Sequence, residues 1–212
     1  MTTLTNIRGR IRTDLHDEDS QNYRWTDAEL DRHAAHALRE LSLAAPLEAK
    51  STLATTAGSR DISVSSLTDR VSIEAVEFPV DKYPPVYLRF SLWQDTLTML
   101  VDQSPGGGEN VNVYYTKLHT LDATGSTLPS AMEDLLVVGS AGYAALEWAS
   151  FAINRVNVGG VAVWRDYLTW GQDRLGSFLR GLARHSRKNT VRTRRLYPPL
   201  GMPENRTTVT GP

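Results

Sequence analysis

The sequence predicts an α+β protein: a bundle of about four helices, a small antiparallel β-domain inserted into it, and an extended C-terminal tail. Three observations carry this. Apolar residues recur at intervals of three and four before residue 46 and again after residue 130. Between Lys50 and His119 they alternate with polar ones. After Leu196, prolines, glycines and threonines replace any core pattern. The expected boundaries are a first helical part over 1–48, a sandwich-like or barrel-like insertion over 49–127, a second helical part over 128–195, and an arm over 196–212.

Leu4, Ile7, Ile11 and Leu15 share one stripe of a short first helix, which ends in the polar segment His16–Asn22. The second helix spans Thr26–Ala45. Thr26 and Glu29 have the spacing of a capping box, and Trp25 with Leu30 that of a hydrophobic staple. Leu30, Ala34, Ala37, Leu38 and Leu41 line its apolar face, and Pro46 stops it.

The alternating runs follow: Ile62 and Val64; Val71 and Ile73; Leu88, Phe90 and Leu92; Leu97, Met99 and Val101; Val111, Val113 and Tyr115. A period of two means strands buried on one face, and Gly58, Pro79, Pro84-Pro85 and Gly106–Gly108 punctuate them. Five or six strands are expected.

Helical character returns after Pro129, where Ser130 and Glu133 suggest a second capping box. The helix from Ala131 to about Arg155 is apolar nearly all round and rich in Gly and Ala, the pattern of a helix buried in protein or lipid. Only Glu147 is charged between Leu135 and Ile153. A charge that far inside favours a buried central helix over a membrane span. After Gly159-Gly160 a last helix carries Val161, Trp164, Leu168, Gly171, Leu175, Phe178 and Leu182 on one stripe.

Composition excludes several functions. The 212 residues hold 23 Lys and Arg against 24 Asp and Glu and no cysteine. Disulfides, Cys-ligated zinc, iron–sulfur clusters and cysteine nucleophiles are therefore out. Met1–Asn6 lacks the cationic start and apolar run of a signal peptide. The net charge of −1 hides an asymmetry. Residues 1–150 hold 12 basic and 21 acidic side chains, a net of −9; residues 151–212 hold 11 and 3, a net of +8. Such a chain suits head-to-tail contact between copies, or a partner.

The motifs that could carry chemistry are weak. His33 and His36, with Glu29 and Glu40 nearby, have helical spacing for a divalent metal, but no H-E-x-x-H motif is present and a polar helix face is the preferred reading. Asp17, Glu18 and Asp19 lack the glycine and glutamate of a calcium loop, which leaves a flexible acidic connection. Gly106-Gly107-Gly108 lies between strands without a following Lys-Ser or Lys-Thr, so a β-loop is expected rather than a phosphate cradle. No Gly-x-Ser-x-Gly appears. The chain is expected to be no enzyme and to need no cofactor or metal.

Two segments point to interaction. Arg180, Arg184, Arg187, Lys188, Arg192, Arg194 and Arg195 form a cationic run without an acid, more than a helix C-terminus needs. It can meet phosphates or an acidic protein surface. Leu196, Tyr197, Pro198, Pro199, Leu200, Met202 and Pro203 set apolar anchors in a stiff polyproline-like frame that can enter a groove or extend a sheet.

Several stretches together resemble the head-to-tail adaptor (connector) proteins of tailed bacteriophages. They are Ile11–Leu15 with its acidic loop, Tyr23–Leu30, Ala37–Leu41 ending at Pro46, Ala144–Phe151 with Asn154-Arg155, and the last helix with its tail. The β insertion lies outside the resemblance. What the resemblance implies is structural: a ring of copies, usually a dodecamer, below the portal protein, which extends the DNA channel and serves tail proteins as a platform. It implies that the C-terminal arm grips the portal and that no catalytic residue carries over. It places the protein in the virion at the head–tail interface, and in the host cytoplasm during assembly, with no membrane partner. The rival reading is a DNA-binding module using the basic C-terminal helix.

Overall fold

The computed structural model describes residues 2–153 and 162–196, the last ten of these by backbone alone. The described residues form four helices and seven strands: α1 (Leu4–Leu15), α2 (Asp27–Ala44), β1 (Leu47–Ala54), β2 (Asp61–Ser63), β3 (Arg70–Glu77), β4 (Tyr87–Leu88), β5 (Phe90–Trp93), β6 (Thr96–Met99), β7 (Asn110–Lys117), α3 (Ser130–Ala152) and α4 (Val163–Leu196). The fold is α+β, with four helices and a small antiparallel β-domain, as the sequence predicts.

Two compact units result. One joins Met1–Leu47 to Leu118–Arg187, and the other holds Glu48–Lys117 together with the end of α4 from Lys188. The expected insertion ran on to residue 127. Residues 118–127 instead belong to the helical unit, where Leu121 packs on the core and the His119 backbone N–H donates to Ser42 Oγ at 3.0 Å.

In the helical unit, Ile7, Ile11, Trp25, Leu30, Ala37, Leu41, Leu136, Ala144 and Phe178 are buried in one cluster. α1 starts at Thr3, whose hydroxyl accepts from the Asn6 N–H. It ends at His16, which adopts the left-handed conformation (φ 53°) and donates its N–H to the Arg12 and Thr13 carbonyls. The capping box of α2 forms in full. Thr26 Oγ1 accepts from the Glu29 N–H at 3.3 Å, and Glu29 Oε2 accepts from the Thr26 N–H at 2.7 Å. Thr26→Ala removes the hydroxyl arm and leaves the backbone arm to Glu29, and is expected to cost about 1 kcal/mol, read as a lower melting temperature.

The second expected capping box does not form. α3 begins at Ser130 itself, with Pro129 in the cap position and no side-chain cap. Proline tolerates that place because the first-turn N–H groups lack helical partners anyway. Glu133 turns to Arg10 of α1 instead, at 3.0 Å.

α3 is the one described helix long and apolar enough to cross a membrane. Within the helical unit it is the central element: Leu136, Val137, Ala141, Ala144, Ala145 and Ala149 are all buried. Its glycines set the approach of α4. A Cβ at Gly139 would lie 2.8 Å from Phe178, and one at Gly142 3.0 Å from Leu175. One at Gly171 would lie 3.0 Å from Leu146, and one at Gly181 2.5 Å from Leu135. These pairs fix an antiparallel register that brings the start of α3 level with about residue 187. α4 therefore continues roughly ten residues, about 15 Å, past its helix partner.

The β unit has two sheets. One runs β1-β7-β3-β4 and the other β2-β6-β5. Ile62, Val64, Val76, Leu97, Met99, Val111 and Val113 form the buried core, so the alternation read from the sequence holds for those strands. It fails at Val71, which is exposed. The β3–β7 ladder shifts between Arg70 and Ser72 and again between Ile73 and Ala75, and each shift reverses which face a residue meets. The run from Tyr87 to Trp93 is two strands, split at Arg89: β4 joins one sheet and β5 the other. Gly108 (φ 78°) turns the chain into β7 and donates its N–H to the Thr55 carbonyl, so the glycine run closes a β-loop.

Candidate assembly surface

The segment expected to be a flexible acidic connection is an organised ion-pair hub. Arg12 and Asp17 are buried, their side chains 7% and 6% exposed, and Arg12 Nη1 donates to Asp17 Oδ2 at 2.6 Å. Arg12 Nη2 donates to the Trp25 carbonyl at 3.0 Å and to Asp27 Oδ1 at 2.8 Å. Its guanidinium carbon sits 3.5 Å from the centre of the Tyr23 ring. Asp17 in turn accepts the backbone N–H groups of Arg24, at 2.7 Å, and Trp25, at 3.3 Å. The loop is thereby bolted to the N-terminus of α2. The hydrogen bond from Arg12, with the charge of nearby Arg8, holds the Asp27 carboxyl below its usual range.

The α2–α3 seam holds the two histidines. His33 is buried, with Nε2 2.5 Å from Glu147 Oε2, and Arg32 Nη2 donates to the same carboxylate at 2.6 Å. Glu147 is thus the polar clasp of α3 beyond its first turn, and the Arg32 hydrogen bond holds its carboxyl below its usual range. His36 stacks on Tyr143 at 4.3 Å, and the Tyr143 hydroxyl donates to Glu40 Oε2 at 2.7 Å. Burial and the Glu40 carboxylate push the Tyr143 hydroxyl pKa up. Glu29 is occupied in the α2 cap. Of the four residues weighed as metal ligands, Glu29 and His33 are spent on separate contacts, while His36 Nε2 lies 3.6 Å from Glu40 Oε1 beside the shared Tyr143. Among the described residues no cluster of three or more His, Asp or Glu is placed to hold a metal.

Burial lowers the pKa values of His33 and His119 below the ordinary histidine value, despite acceptors beside both rings. The unfolded chain therefore binds protons first as pH falls. Stability is expected to be full above about pH 6.5 and to decline below it, until the folded-state histidines also protonate. Below about pH 4 the carboxyls held low, Glu147 and Asp27, add a second decline. A melting-temperature series from pH 8 to pH 3 should show both phases, and His119→Asn should shrink only the first.

The cationic run lies on α4. Arg180 and Arg184 are exposed, while Leu175, Phe178 and Leu182 on the same helix pack into the core. Arg187, Lys188, Arg192, Arg194 and Arg195 are helical in backbone, and Leu196 is the last helical residue. The side chains of these six lie outside the described residues. So do Tyr197, Pro198, Pro199, Leu200, Met202 and Pro203 of the arm.

A surface that the sequence reading did not single out is the aromatic end of the helical unit. The Arg24 guanidinium lies 4.9 Å from the Trp148 ring, 5.2 Å from Tyr167 and 5.7 Å from Trp25. The three rings stand 5.7 to 6.4 Å apart, and the Trp25 indole N–H donates to the Ala144 carbonyl. The Tyr23-Arg24-Trp25 run was the only local sign of it. Trp148 and Tyr167 arrive from helices more than a hundred residues away.

No family model matches the chain, and no curated protein matches it. Among solved structures the chain is similar to one from the neck of an empty GTA particle computed with C6 symmetry. The identity is 16%, the TM-score 0.28, and the match covers 77% of this chain and 87% of that one. It is also similar to a chain from the neck of a native GTA particle computed with C12 symmetry, at 16% identity and TM-score 0.26, covering 80% and 92%.

Proposed function

We propose that this chain is a structural virion protein, a head-to-tail adaptor. Copies form a ring below the portal at the capsid vertex, prolong the DNA channel and give tail proteins a platform. The protein works by assembling and catalyses nothing. It is made in the host cytoplasm and ends in the virion.

The observation that carries this reading is the asymmetry of α4. One side of the helix is spent on Gly139, Gly142 and the core, while Arg180 and Arg184 stay exposed. The helix then runs past the start of α3 and leads into the arm that begins at Leu196. A cationic helix end followed by an apolar, proline-stiffened segment suits a partner larger than a small molecule. The resemblance of the helical stretches to phage adaptors names that partner as the portal. A ring needs contacts in which one face meets a different face of the next copy. The opposite charges of the two parts of the chain fit that need.

The test is co-sedimentation with portal-bearing heads. The full chain should bind them at several copies per head and should not bind free duplex DNA at physiological salt. Tight binding to free DNA, with affinity falling steeply as salt rises, would support the DNA-binding module instead.

A further inference from the structure

We propose that the outer edge of β1 is a docking site for this chain's own tail, and that residues 206–210 add to it as a fifth strand of the β1-β7-β3-β4 sheet. The contact stands apart from the adaptor reading and does not depend on it.

An edge strand leaves backbone N–H and C=O groups unpaired along one side, and proteins keep such edges short or guard them with lysine or proline. Three of the four edges in the β unit are short: β4 has two residues, β2 three and β5 four. β1 has eight, Leu47–Ala54, and no proline. Its one lysine stands no guard, because Lys50 Nζ lies over the ring of Tyr114, on the neighbouring β7, at 5.4 Å. The Thr55 N–H donates to the Glu109 carbonyl at 2.8 Å, toward β7. The alternation of an antiparallel ladder then turns the N–H and C=O groups of Lys50, Thr52 and Ala54 the other way. Among the described residues no strand pairs with that side.

The path of the chain names the occupant. From Lys188 the end of α4 groups with the β unit, so the tail sets out from there. Nine residues, 197–205, separate the helix end from residue 206, and extended they span about 30 Å. A unit of about 70 residues has a radius of gyration of about 11 Å, which brings each of its edges within reach. Thr207, Thr208, Val209 and Thr210 are the longest run of β-branched residues in the sequence, and no proline interrupts them. Such side chains favour the extended, pleated backbone. Charge agrees. Residues 48–117 hold 9 acidic and 6 basic side chains, a net of −3; residues 188–212 hold 1 and 5, a net of +4. Strand addition draws its affinity from main-chain hydrogen bonds. With 206–210 held, the segment from Leu196 to Pro203 is a strap fixed at both ends. Tyr197, Leu200 and Met202 then lose less freedom when a partner takes them.

The test is amide hydrogen exchange of the free full-length protein, read residue by residue by NMR. The amides of Lys50, Thr52 and Ala54 should exchange at least about tenfold more slowly in wild type than in a Thr208→Pro, Val209→Pro double variant, since the two prolines remove ladder donors in either register. The amides of Val76 and Val113, paired across β3 and β7, should exchange alike in both chains and report that the variant is folded. The contact is local and opens before either unit melts, so the melting transition should not move. Protection of the three edge amides should hold over about a hundredfold dilution, as an intramolecular contact does. Edge amides that exchange equally fast in both chains would overturn the proposal. Protection that fades on dilution would assign the strand to a neighbouring copy's tail and overturn the own-chain assignment. No heads enter the experiment, so either result leaves the adaptor reading to its own test.

Discussion

Asp17→Ala is expected to destabilise the helical unit by about 3–5 kcal/mol, the cost of breaking a buried ion pair from one side. The magnitude follows from what is left behind. The Arg12 guanidinium is 7% exposed and would keep only the Trp25 carbonyl and the more exposed Asp27 as acceptors. The Arg24 and Trp25 N–H groups would lose their acceptor in the same step. A loss of that size is a large share of the total stability of a single domain. Chemical denaturation should show the midpoint falling steeply. Asp17→Asn keeps acceptor and donor atoms in place and should lose less, because it removes the charge without emptying the site. If Asp17→Ala unfolds like wild type, the hub is not what holds the α1–α2 connection.

Deleting Leu196–Pro212 is expected to abolish attachment to portal-bearing heads while leaving the fold intact. Among the described residues the helical core reaches Leu182 and the β core Tyr115. The truncated chain should therefore keep its melting transition within about 0.5 kcal/mol of wild type, as substitutions remote from any core do. Attachment is measured by co-sedimentation with heads. Normal attachment of the truncated protein would show that the arm does not grip the portal. Reversing Arg180 and Arg184 to glutamate in the full chain separates the arm from the cationic run. Attachment lost only on deletion assigns the grip to the apolar anchors, and attachment lost in both assigns it to the pair acting together.

The fold was legible where a local rule and a tertiary need agree. The capping box at Thr26 and Glu29 formed because that turn stands at a helix start that nothing else claims. The same four-residue signal at Ser130 failed because Pro129 already tolerates the cap position and Glu133 finds a cation, Arg10, on another helix. Strand periodicity located the β core but not the shifts in the β3–β7 ladder, since a bulge leaves no composition mark. β1 also escaped, because Leu47, Ala49, Ser51 and Leu53 alternate too weakly in hydrophobicity to announce a half-buried strand. The surfaces were less legible than the fold. His16–Asn22 is acidic by composition, and only its packing against Arg12 makes Asp17 a buried group. The Arg24 platform depends on rings brought from α3 and α4, which no window around residue 24 contains.

The glycines of α3 and α4 tie fold to function. Gly142 and Gly171 let the two helices approach until the Gly142 carbonyl lies 3.1 Å from where a Cβ at Gly171 would be. That contact sets the register of α4, and the register decides which part of the cationic helix clears the bundle. A side chain at either position would shift α4 along or away from α3 and move the basic end with it.

Electron microscopy of portal-bearing heads incubated with the full-length protein tests the central claim most directly. The expected result is a closed ring of copies seated below the portal, coaxial with the DNA channel. Heads with bare portals, beside a protein that stays in solution as a compact species, would contradict it.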